Sequence, residues 1–377
     1  MTLYAPATEL DLVLGEPRLH ALVIGVADYP HLIGGDSAAQ AKDPLTLTQV
    51  TTPQYTAAAV ADWLARCYHN PDVPLGSVEL LISSSRQGAP GKPPIPPAEG
   101  ATMANVKAAF DRWVGRAGSN PGNIALFYFC GHGLSKVNQF LLPSDFGNPA
   151  VLDAWENCID FDGMRVGMRS CKAQTQLFFV DACREIPFGV LTKEPRGHRL
   201  IDSDITDNVE CSAVYHAATE GKQAFGPDDG VSYFGQAVIS CLDGVGAMRR
   251  GAAWFVDTYS LGNALGQVMA RLGRRHKLKL NCNPSPSGMA DIHRTATPRV
   301  YAVVGCTSET ANRAAEIVLE KGATRVHSPF GSPKPIFEEL EAGRWKIEVH
   351  FPNGGFSSPY LTEEDLMPPI FEGVAVP

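Results

Sequence analysis

Two buried segments of the sequence run directly into residues that can do nucleophilic chemistry. The apolar segment Asn123–Phe129 continues into Cys-Gly-His-Gly, which contains His132, and the segment Gln176–Val180 continues into Asp-Ala-Cys-Arg, which contains Cys183. In an open parallel sheet, catalytic groups gather just outside the carboxyl ends of the strands. If these two strands are neighbours, an imidazole lies beside a thiol and lowers the thiol pKa from about 8.5 towards neutrality. The pattern therefore favours a cysteine nucleophile activated by a histidine.

Two glycines flank the histidine, and they favour acyl-transfer chemistry. Gly131 and Gly133 allow the backbone to approach a substrate closely. We predict that the backbone amides of Gly133 and Cys183 are the two donors for a tetrahedral oxyanion. Simpler interpretations stay open here, namely the histidine as a turn residue and Cys183 as a small core residue. Cys130, two residues before the histidine, is the alternative thiol, and its place at the strand end predicts packing.

Composition narrows the classes of function. The 377 residues include 32 basic and 40 acidic side chains, for a formal net charge of −8, which disfavours binding to nucleic acid or to an anionic membrane. No apolar run is long enough for a transmembrane helix, and the acidic start Met1–Asp11 is unlike a secretory signal. The nine cysteines contain no C-x-x-C pair, which disfavours a ribbon-type zinc site and a disulfide scaffold. These features predict a globular protein of a reducing cytoplasm.

The elements that must position the two motifs alternate along the chain. Continuous apolar runs predict buried strands, and amphipathic spacing predicts helices between them. The predicted strands are His20–Val26, Val78–Ile82, Asn123–Phe129, Leu177–Val180 and Ser212–Ala217, and the predicted helices are Gln54–Arg66, Thr102–Trp113 and Tyr233–Leu242. This alternation predicts an α/β fold with a mostly parallel sheet and helices on both faces.

The last eighty or so residues have a different pattern. Short alternating segments separated by turns predict a small all-β domain of the sandwich type; they are Arg299–Val304, Ala315–Leu319, Trp345–Phe351 and Ile370–Val376. The stretch Asn281–Pro298, rich in Pro and Ser, is the predicted border. The predicted division is an N-terminal segment 1–17, a main domain 18–297 and a β domain 298–377. We expect the β domain to dock onto a partner, a substrate or the main domain, with a purely stabilising appendage as the alternative.

The paired motifs resemble those of caspase-like cysteine peptidases of the caspase/metacaspase clan. His132 lies 51 residues before Cys183, and the order of HALVIGV, FYFCGHG, FFVDACRE and YHAATEGKQAF resembles that fold over about residues 18–295. The resemblance implies that a His132–Cys183 dyad hydrolyses peptide bonds through an acyl-enzyme, with no metal or other cofactor in the chemical step. A catalytically silent protein-binding module of the same fold is the alternative. A nucleotide-binding protein is disfavoured, because no phosphate-binding glycine motif follows the first strand.

The residue two positions before the cysteine bears on specificity. Caspases proper have Gln-Ala-Cys-Arg-Gly where this chain has Asp-Ala-Cys-Arg-Glu. Metacaspases share the Asp-x-Cys pattern, and this resemblance implies that Asp181 lines the primary specificity pocket. Because a carboxylate pairs with a guanidinium and repels an acid, we expect protein substrates with Arg, then Lys, before the cleaved bond. The alternative is that Asp181 only caps backbone amides.

Other parts of the metacaspase pattern are missing. The Asn-Asp-Ala segment that supplies a second pocket acid is replaced by Thr51–Thr56, with Asp36 and Asp43 as substitutes from the preceding loop. Seven residues after the cysteine, where calcium-dependent members have a ligand Asp, this chain has Val190. The remaining cation candidates are Asp153, Asp160 and Asp162, for which a solvated acidic loop is the favoured interpretation. No calcium requirement is predicted.

The segment Thr219–Phe225 resembles the family strand that pairs with the substrate backbone. On that match Gln223, Ala224 and Phe225 line the pockets nearest the cleaved bond, and Glu220 faces a basic side chain of the substrate.

The polar linker 184–210 is expected to be cut by the enzyme itself, with an uncut surface loop as the alternative. The candidates for this cleavage are Lys193, Arg196 and Arg199. The resemblance to caspases implies a zymogen that is activated by such cleavage or by a protein partner. Bacterial proteins of this build are often effectors in defence or programmed death.

Overall fold

The structure is a computed structural model, and it describes most of the chain. The described residues are 3–6, 15–40, 47–84, 94–184, 196–202, 206–218, 226–227, 229–356, 359–368 and 373–376. The chain divides into two compact units, the first formed by Met1–Ile239 with Val268–Asp291 and the second by Ser240–Gln267 with Ile292–Pro377. The boundaries predicted at residues 17 and 297 stay predictions. Among the described residues, no helix is long and apolar enough to cross a membrane.

The strands and helices that the sequence predicts up to residue 287 are present, together with further elements. The strands are β1 (Leu3–Pro6), β2 (Leu19–Val26), β3 (Leu75–Ser83), β4 (Ile124–Gly131), β5 (Gly133–Ser135), β6 (Gln139–Leu141), β7 (Ile159–Asp160), β8 (Thr175–Ala182), β9 (Cys211–His216), β10 (Met248–Arg250), β11 (Ala253–Asp257) and β12 (Asn283–Ser287). The helices are α1 (Pro53–Arg66), α2 (Met103–Ala117), α3 (Phe161–Gly167), α4 (Tyr233–Ser240) and α5 (Thr258–His276). Short 3-10 or π-helical turns span Ala38–Gln40, Ala154–Asn157, Met168–Ser170 and Cys241–Val245.

The first unit is built on a seven-stranded sheet with the order β1-β3-β2-β4-β8-β9-β12. Its five central strands are parallel, and the edge strands β1 and β12 are antiparallel to their neighbours. All eight residues of β2 are buried, which explains why its sequence is continuously apolar rather than alternating. A small antiparallel sheet of β5, β6 and β7 follows the end of β4. The predicted α/β class with a mostly parallel sheet is confirmed.

Side-chain alternation along β2 places α1 and α2 on opposite faces of the sheet. Leu22 and Ile24 belong to the core that the apolar face of α2 covers. The next residue, Gly25, faces α1, where a Cβ atom would lie 2.5 Å from the carbonyl oxygen of Pro53 and 2.6 Å from the Cβ of Ala57. Only glycine permits this approach. The close contact brings the start of α1, and the segment before it, to the carboxyl end of the strands.

The second unit contains a β sandwich. Its remaining elements are β13 (Asp291–Thr295), β14 (Arg299–Cys306), α6 (Glu309–Ala314), β15 (Glu316–Lys321), β16 (Thr324–Ser328), β17 (Ile336–Glu341), β18 (Gly343–His350), β19 (Tyr360–Leu366) and β20 (Gly373–Val376). One sheet has the order β17-β14-β20 and the other β16-β15-β18-β19, and a third small sheet joins β10, β11 and β13. The two larger sheets share one core, which includes Val304, Leu319 and Trp345. The predicted small β sandwich is confirmed, with the short helix α6 as an addition.

Several of the elements that the sequence pattern does not predict are edge strands. β16, β17 and β19 each end a sheet of the sandwich, and β12 ends the main sheet inside the stretch interpreted only as a border. These strands carry many charged, Pro or Ser residues and are largely exposed or half-buried. An edge strand with few buried side chains gives little apolar alternation to recognise. The helices α3, α5 and α6, the edge strand β1 and the strands of the two small sheets, β5–β7 and β10, β11 and β13, also have no prediction.

Candidate active site

The two motifs leave the main sheet side by side. In the parallel register of β4 and β8, Cys130 lies opposite Asp181 and Gly131 opposite Ala182, so His132 and Cys183 follow the ends of neighbouring strands. Their loops are in contact, as the predicted juxtaposition requires.

The contact between these loops depends on Gly133. A Cβ atom on this residue would lie 2.7 Å from the carbonyl oxygen of Cys183 and 2.7 Å from the Cβ of Ala182. Any side chain here would therefore separate the histidine loop from the cysteine loop.

One cavity of about 390 Å³ joins the predicted groups. The residues that line it are Gln49–Pro53, Cys130–His132, Asp181, Cys183, Gly226, Pro227 and Ser232. The imidazole, the half-buried Cys183 and the carboxyl group thus share one space at the carboxyl end of the sheet. Thr51 and Thr52, which replace the acidic segment of metacaspases, are part of its wall.

The imidazole of His132 is fixed in one tautomer by a backbone carbonyl. Its Nε2 lies 2.6 Å from the carbonyl oxygen of Thr48. Because a carbonyl oxygen can only accept, Nε2 carries the proton of the neutral ring and Nδ1 remains the basic nitrogen. Burial lowers the pKa of His132, and the bond to Thr48 opposes this only in part. The ring is therefore neutral at pH 7 and able to accept a proton at Nδ1.

Tyr29, which sequence reasoning missed, holds the backbone on which this imidazole sits. Its fully buried hydroxyl accepts a hydrogen bond from the backbone N–H of His132 at 2.8 Å and donates to the carbonyl of Leu142 at 3.2 Å. The phenol ring also packs against the imidazole, with the ring centroids 4.9 Å apart. The signal available in the sequence was a tyrosine just after the end of the first buried strand, in a stretch interpreted as loop.

The predicted oxyanion donors lie where the two loops meet. In the β5–β6 hairpin, hydrogen bonds join Leu142 to His132 and Lys136 to Asn138. Because hydrogen-bonded and non-bonded pairs alternate in an antiparallel ladder, the N–H of Gly133 points away from β6. It is therefore not consumed by the hairpin. The role of Gly133 and Cys183 as oxyanion donors stays a prediction.

Asp181 is buried in the wall of the cavity and is held by neutral donors. Its Oδ2 accepts hydrogen bonds from the Tyr128 hydroxyl at 3.3 Å, from the Cys130 thiol at 3.3 Å and from the Ser232 hydroxyl. These described partners are side chains, in contrast to the alternative of an aspartate that caps backbone amides. Burial raises the pKa of Asp181 to about 6, although the three hydrogen bonds oppose the rise.

The nine cysteines differ in their surroundings. Cys130 is buried, and its pKa lies well above the usual value because of burial and the neighbouring Asp181, so it is a poor nucleophile. Cys241 is buried, whereas Cys67, which directly follows the last residue of α1, is exposed.

The three acidic residues considered as cation ligands each accept a hydrogen bond from a nearby backbone amide. Asp153 accepts a hydrogen bond from the N–H of Trp155, Asp160 from that of Gly163 and Asp162 from that of Gln139. In the described part of the chain, no group of three or more His, Cys, Asp or Glu side chains is arranged to hold a metal ion.

Asp36, one of the two acids considered as pocket substitutes, is exposed and is not part of the cavity wall. Several other predicted positions lie outside the described residues, namely Asp43, Val190, Lys193, Glu220, Gln223, Ala224 and Phe225.

Of the predicted self-cleavage positions, Arg196 and Arg199 are exposed and flank a short bridge to β7. In that bridge His198 donates to the carbonyl of Cys158 and accepts from the N–H of Asp160, both at 2.8 Å. The Arg199 side chain lies 3.8 Å from the Asp160 carboxylate.

The chain is similar to known proteins in sequence and in fold. Residues 18–286 match the family model of the caspase domain. The uncharacterized protein y4kE of Sinorhizobium fredii is 30% identical over 282 residues, which are 71% of this chain and 70% of that protein. Among solved structures, caspase-1 from Spodoptera frugiperda aligns with a TM-score of 0.41 and 12% identity, over 74% of this chain and 91% of that one. The caspase domain match spans both His132 and Cys183 and covers well over half of the sequence, and the chain therefore belongs to the caspase family of peptidases.

Proposed function

We propose that this chain is a cysteine endopeptidase that cuts proteins after basic residues, Arg in preference to Lys. The observation that carries the proposal is the shared cavity of about 390 Å³, whose wall contains His132, Cys183 and the buried carboxyl group of Asp181. A pocket of this size takes one long side chain, and its acidic base favours a cationic one.

The chemistry follows from the protonation states of the two groups. Nδ1 of His132 takes the proton of the Cys183 thiol, and the thiolate attacks the substrate carbonyl carbon, so that an S–C bond forms and the carbonyl oxygen becomes an oxyanion. The amides of Gly133 and Cys183 stabilise that oxyanion. The imidazolium then protonates the leaving amine as the C–N bond breaks. Water, deprotonated by the same imidazole, hydrolyses the thioester and restores the thiol.

The pocket base supports recognition of a guanidinium. The three described donors to Asp181 all bond to Oδ2. Oδ1 is therefore left to accept from a substrate arginine, whose planar fork is also able to share Oδ2. A lysine offers a single ammonium group and fewer aligned hydrogen bonds, which is why we place it second.

Activation by self-cleavage in the linker is part of the proposal. The backbone of His198 is bonded on both sides of Ile159, so a bond after Arg199 is held against β7. We therefore expect cleavage after Lys193 or Arg196. Mass spectrometry of the purified wild type and of Cys183→Ala would locate new chain ends, and intact wild-type protein under activating conditions would contradict this step. We also propose activation by a separate protein partner, a role in bacterial defence and action in a reducing cytoplasm.

A panel of fluorogenic peptides tests the proposed activity. Peptides that differ only in Arg, Lys, citrulline or Asp before the cleaved bond are incubated with the wild type, Cys183→Ala, His132→Ala and Cys67→Ala. Cys67→Ala is the matched control, because it removes an exposed thiol at the far end of α1. We expect cleavage after Arg above Lys, no cleavage with the first two variants and unchanged cleavage with the control. Cleavage after Asp alone would refute the specificity, and inactivity of the linker-cut protein would favour the silent binding module.

A further inference from the structure

A second polar site lies beside Cys183, on the other face of the main sheet from Asp181. His216 is the last residue of β9 and pairs in register with Val180 of β8. It is 9% exposed, and its ring meets the edge of Phe161, the first residue of α3, at a centroid distance of 5.8 Å. Phe161 belongs to the core on the α2 face, whereas Asp181 lies on the α1 face. The two sites therefore flank the nucleophile.

Two arginines lie close enough to this histidine for their charges to act on its pKa. Arg184 directly follows Cys183, and Arg165 lies four residues after Phe161, which is one turn further along the same face of α3. Both positive charges, together with burial as the largest cause, lower the pKa of His216 to about 3. We refer to Arg165, Arg184 and His216 as the cationic cluster.

Among the described residues, the cationic cluster lacks the partners that buried polar groups normally have. Nδ1 of His216 and Nε of Arg184 are buried without a hydrogen-bond partner among the described residues. The described residues also provide no ion pair for Arg165 or Arg184. An unsatisfied buried donor destabilises the folded state, and unneutralised like charges repel each other. The described residues leave this cost uncompensated next to Cys183.

We propose that the cationic cluster binds an acidic side chain of the polypeptide that is being cut, on the leaving side of the bond. This inference rests on the proposed endopeptidase function. A carboxylate pairs with the two guanidiniums and neutralises the repulsion between them.

The position of Arg184 determines which residue of the substrate the cationic cluster binds. Asp181 binds the side chain of the residue before the cleaved bond. Arg184 lies on the opposite side of Cys183 from Asp181. Each extended residue spans about 3.3 Å, so the acid falls within the first three residues after the cut.

Binding to an inactive protein tests the inference without relying on catalysis. Cys183→Ala is titrated with three fluorescent peptides: one with Arg followed by three Glu, one with Arg followed by three Gln, and one with Ala followed by three Glu. We expect the Arg-Glu peptide to bind about tenfold more tightly than the Arg-Gln peptide. Adding Arg184→Gln or Arg165→Gln should abolish this difference. Adding Arg169→Gln should keep it, since Arg169 is paired with Asp207 outside the cationic cluster.

The outcomes separate this inference from the proposed function. Equal binding of the Arg-Glu and Arg-Gln peptides would overturn the inference and leave the specificity for Arg intact. Equal binding of the Arg-Glu and Ala-Glu peptides would overturn the proposed specificity instead. A structural role is tested by thermal unfolding without peptide: Arg184→Gln should keep or raise Tm because it removes a repelling charge, and a lower Tm would contradict a site kept for a ligand.

Discussion

Two carboxylates are buried in the main sheet, one within β3 and the other at the end of β8, and they are satisfied in different ways. Glu79 is 1% exposed and is bonded by the guanidiniums of Arg112, at 3.3 Å, and of Arg116. Asp181 is 3% exposed and accepts from two hydroxyls and a thiol. The counter-ions of Glu79 are therefore side chains of the protein itself. Asp181 has a pKa raised to about 6 because no described cation offsets its burial, and it faces a cavity. A buried charge that faces a cavity without a counter-ion indicates that the counter-ion belongs to a ligand.

The cationic cluster repeats this difference with the opposite sign. Its guanidiniums and imidazole have no described acid, whereas Arg112 and Arg116 share Glu79. Both unmet charges, acidic and basic, flank Cys183 at the carboxyl end of the sheet. Natural proteins retain such local costs mainly at functional sites, because elsewhere a partnered or apolar residue is more stable.

The largest expected effect comes from removing the charge that faces the cavity. Asp181→Asn keeps an acceptor for the three donors but cannot pair with a guanidinium. We expect kcat/KM for Arg peptides to fall by about 100-fold, the order of a lost buried charge pair. Tm at pH 7 should not fall, because a charged Asp181 with a raised pKa destabilises the folded protein above about pH 4. A fall in Tm with unchanged kinetics would make Asp181 structural, like Glu79.

The reciprocal substitution should change stability and leave activity alone. Glu79→Gln removes the charge that two guanidiniums share. Since their side chains are 45% and 25% exposed, water screens part of the loss, and we expect the free energy of unfolding to fall by about 2 kcal/mol. Urea unfolding followed by tryptophan fluorescence measures this change. A loss of kcat/KM greater than the loss of folded protein would contradict the contrast between the two carboxylates.

A pH profile tests the carboxylate that faces the cavity, because burial raises the pKa of Asp181 to about 6. The ratio of kcat/KM for an Arg peptide to that for its neutral citrulline counterpart isolates Asp181 from His132. Asp181 must be ionised to pair, so the ratio should be constant above about pH 7 and fall about tenfold per pH unit below about pH 6. In Asp181→Asn the ratio should not vary with pH. A flat ratio in the wild type would contradict a single buried acid as the pocket base.

The contrast between the two carboxylates also marks what the sequence alone can predict. The strand-end motifs and the parallel strands between them predict that His132, Cys183 and Asp181 meet, because continuous apolar runs and strand ends are local signals. Sequence reasoning did not include Glu79 among its candidates, because a charged residue inside a strand predicts an exposed side chain. In the structure, Arg112 and Arg116 of α2 pair with it. The residues of the cationic cluster come from the loop after β8, from β9 and from α3, so no single segment of the sequence predicts it. Edge strands such as β12 are not predicted either, because they bury too few side chains to give an apolar pattern.

The smallest expected effect concerns a group that is fully partnered, like Glu79, but lies in the site. Tyr29→Phe removes only a hydroxyl and leaves the N–H of His132 and the carbonyl of Leu142 without their bonds. At about 1 kcal/mol per net hydrogen bond, we expect kcat to fall by about five- to tenfold with KM unchanged, because the imidazole is displaced while the Asp181 pocket is untouched. Tyr68→Phe is the matched control, since its hydroxyl donates to the carbonyl of Val73 outside the cavity. If both variants lose Tm equally and neither changes kcat, the tyrosine at the site is structural. A change in KM alone would instead place the effect of Tyr29 in the specificity pocket.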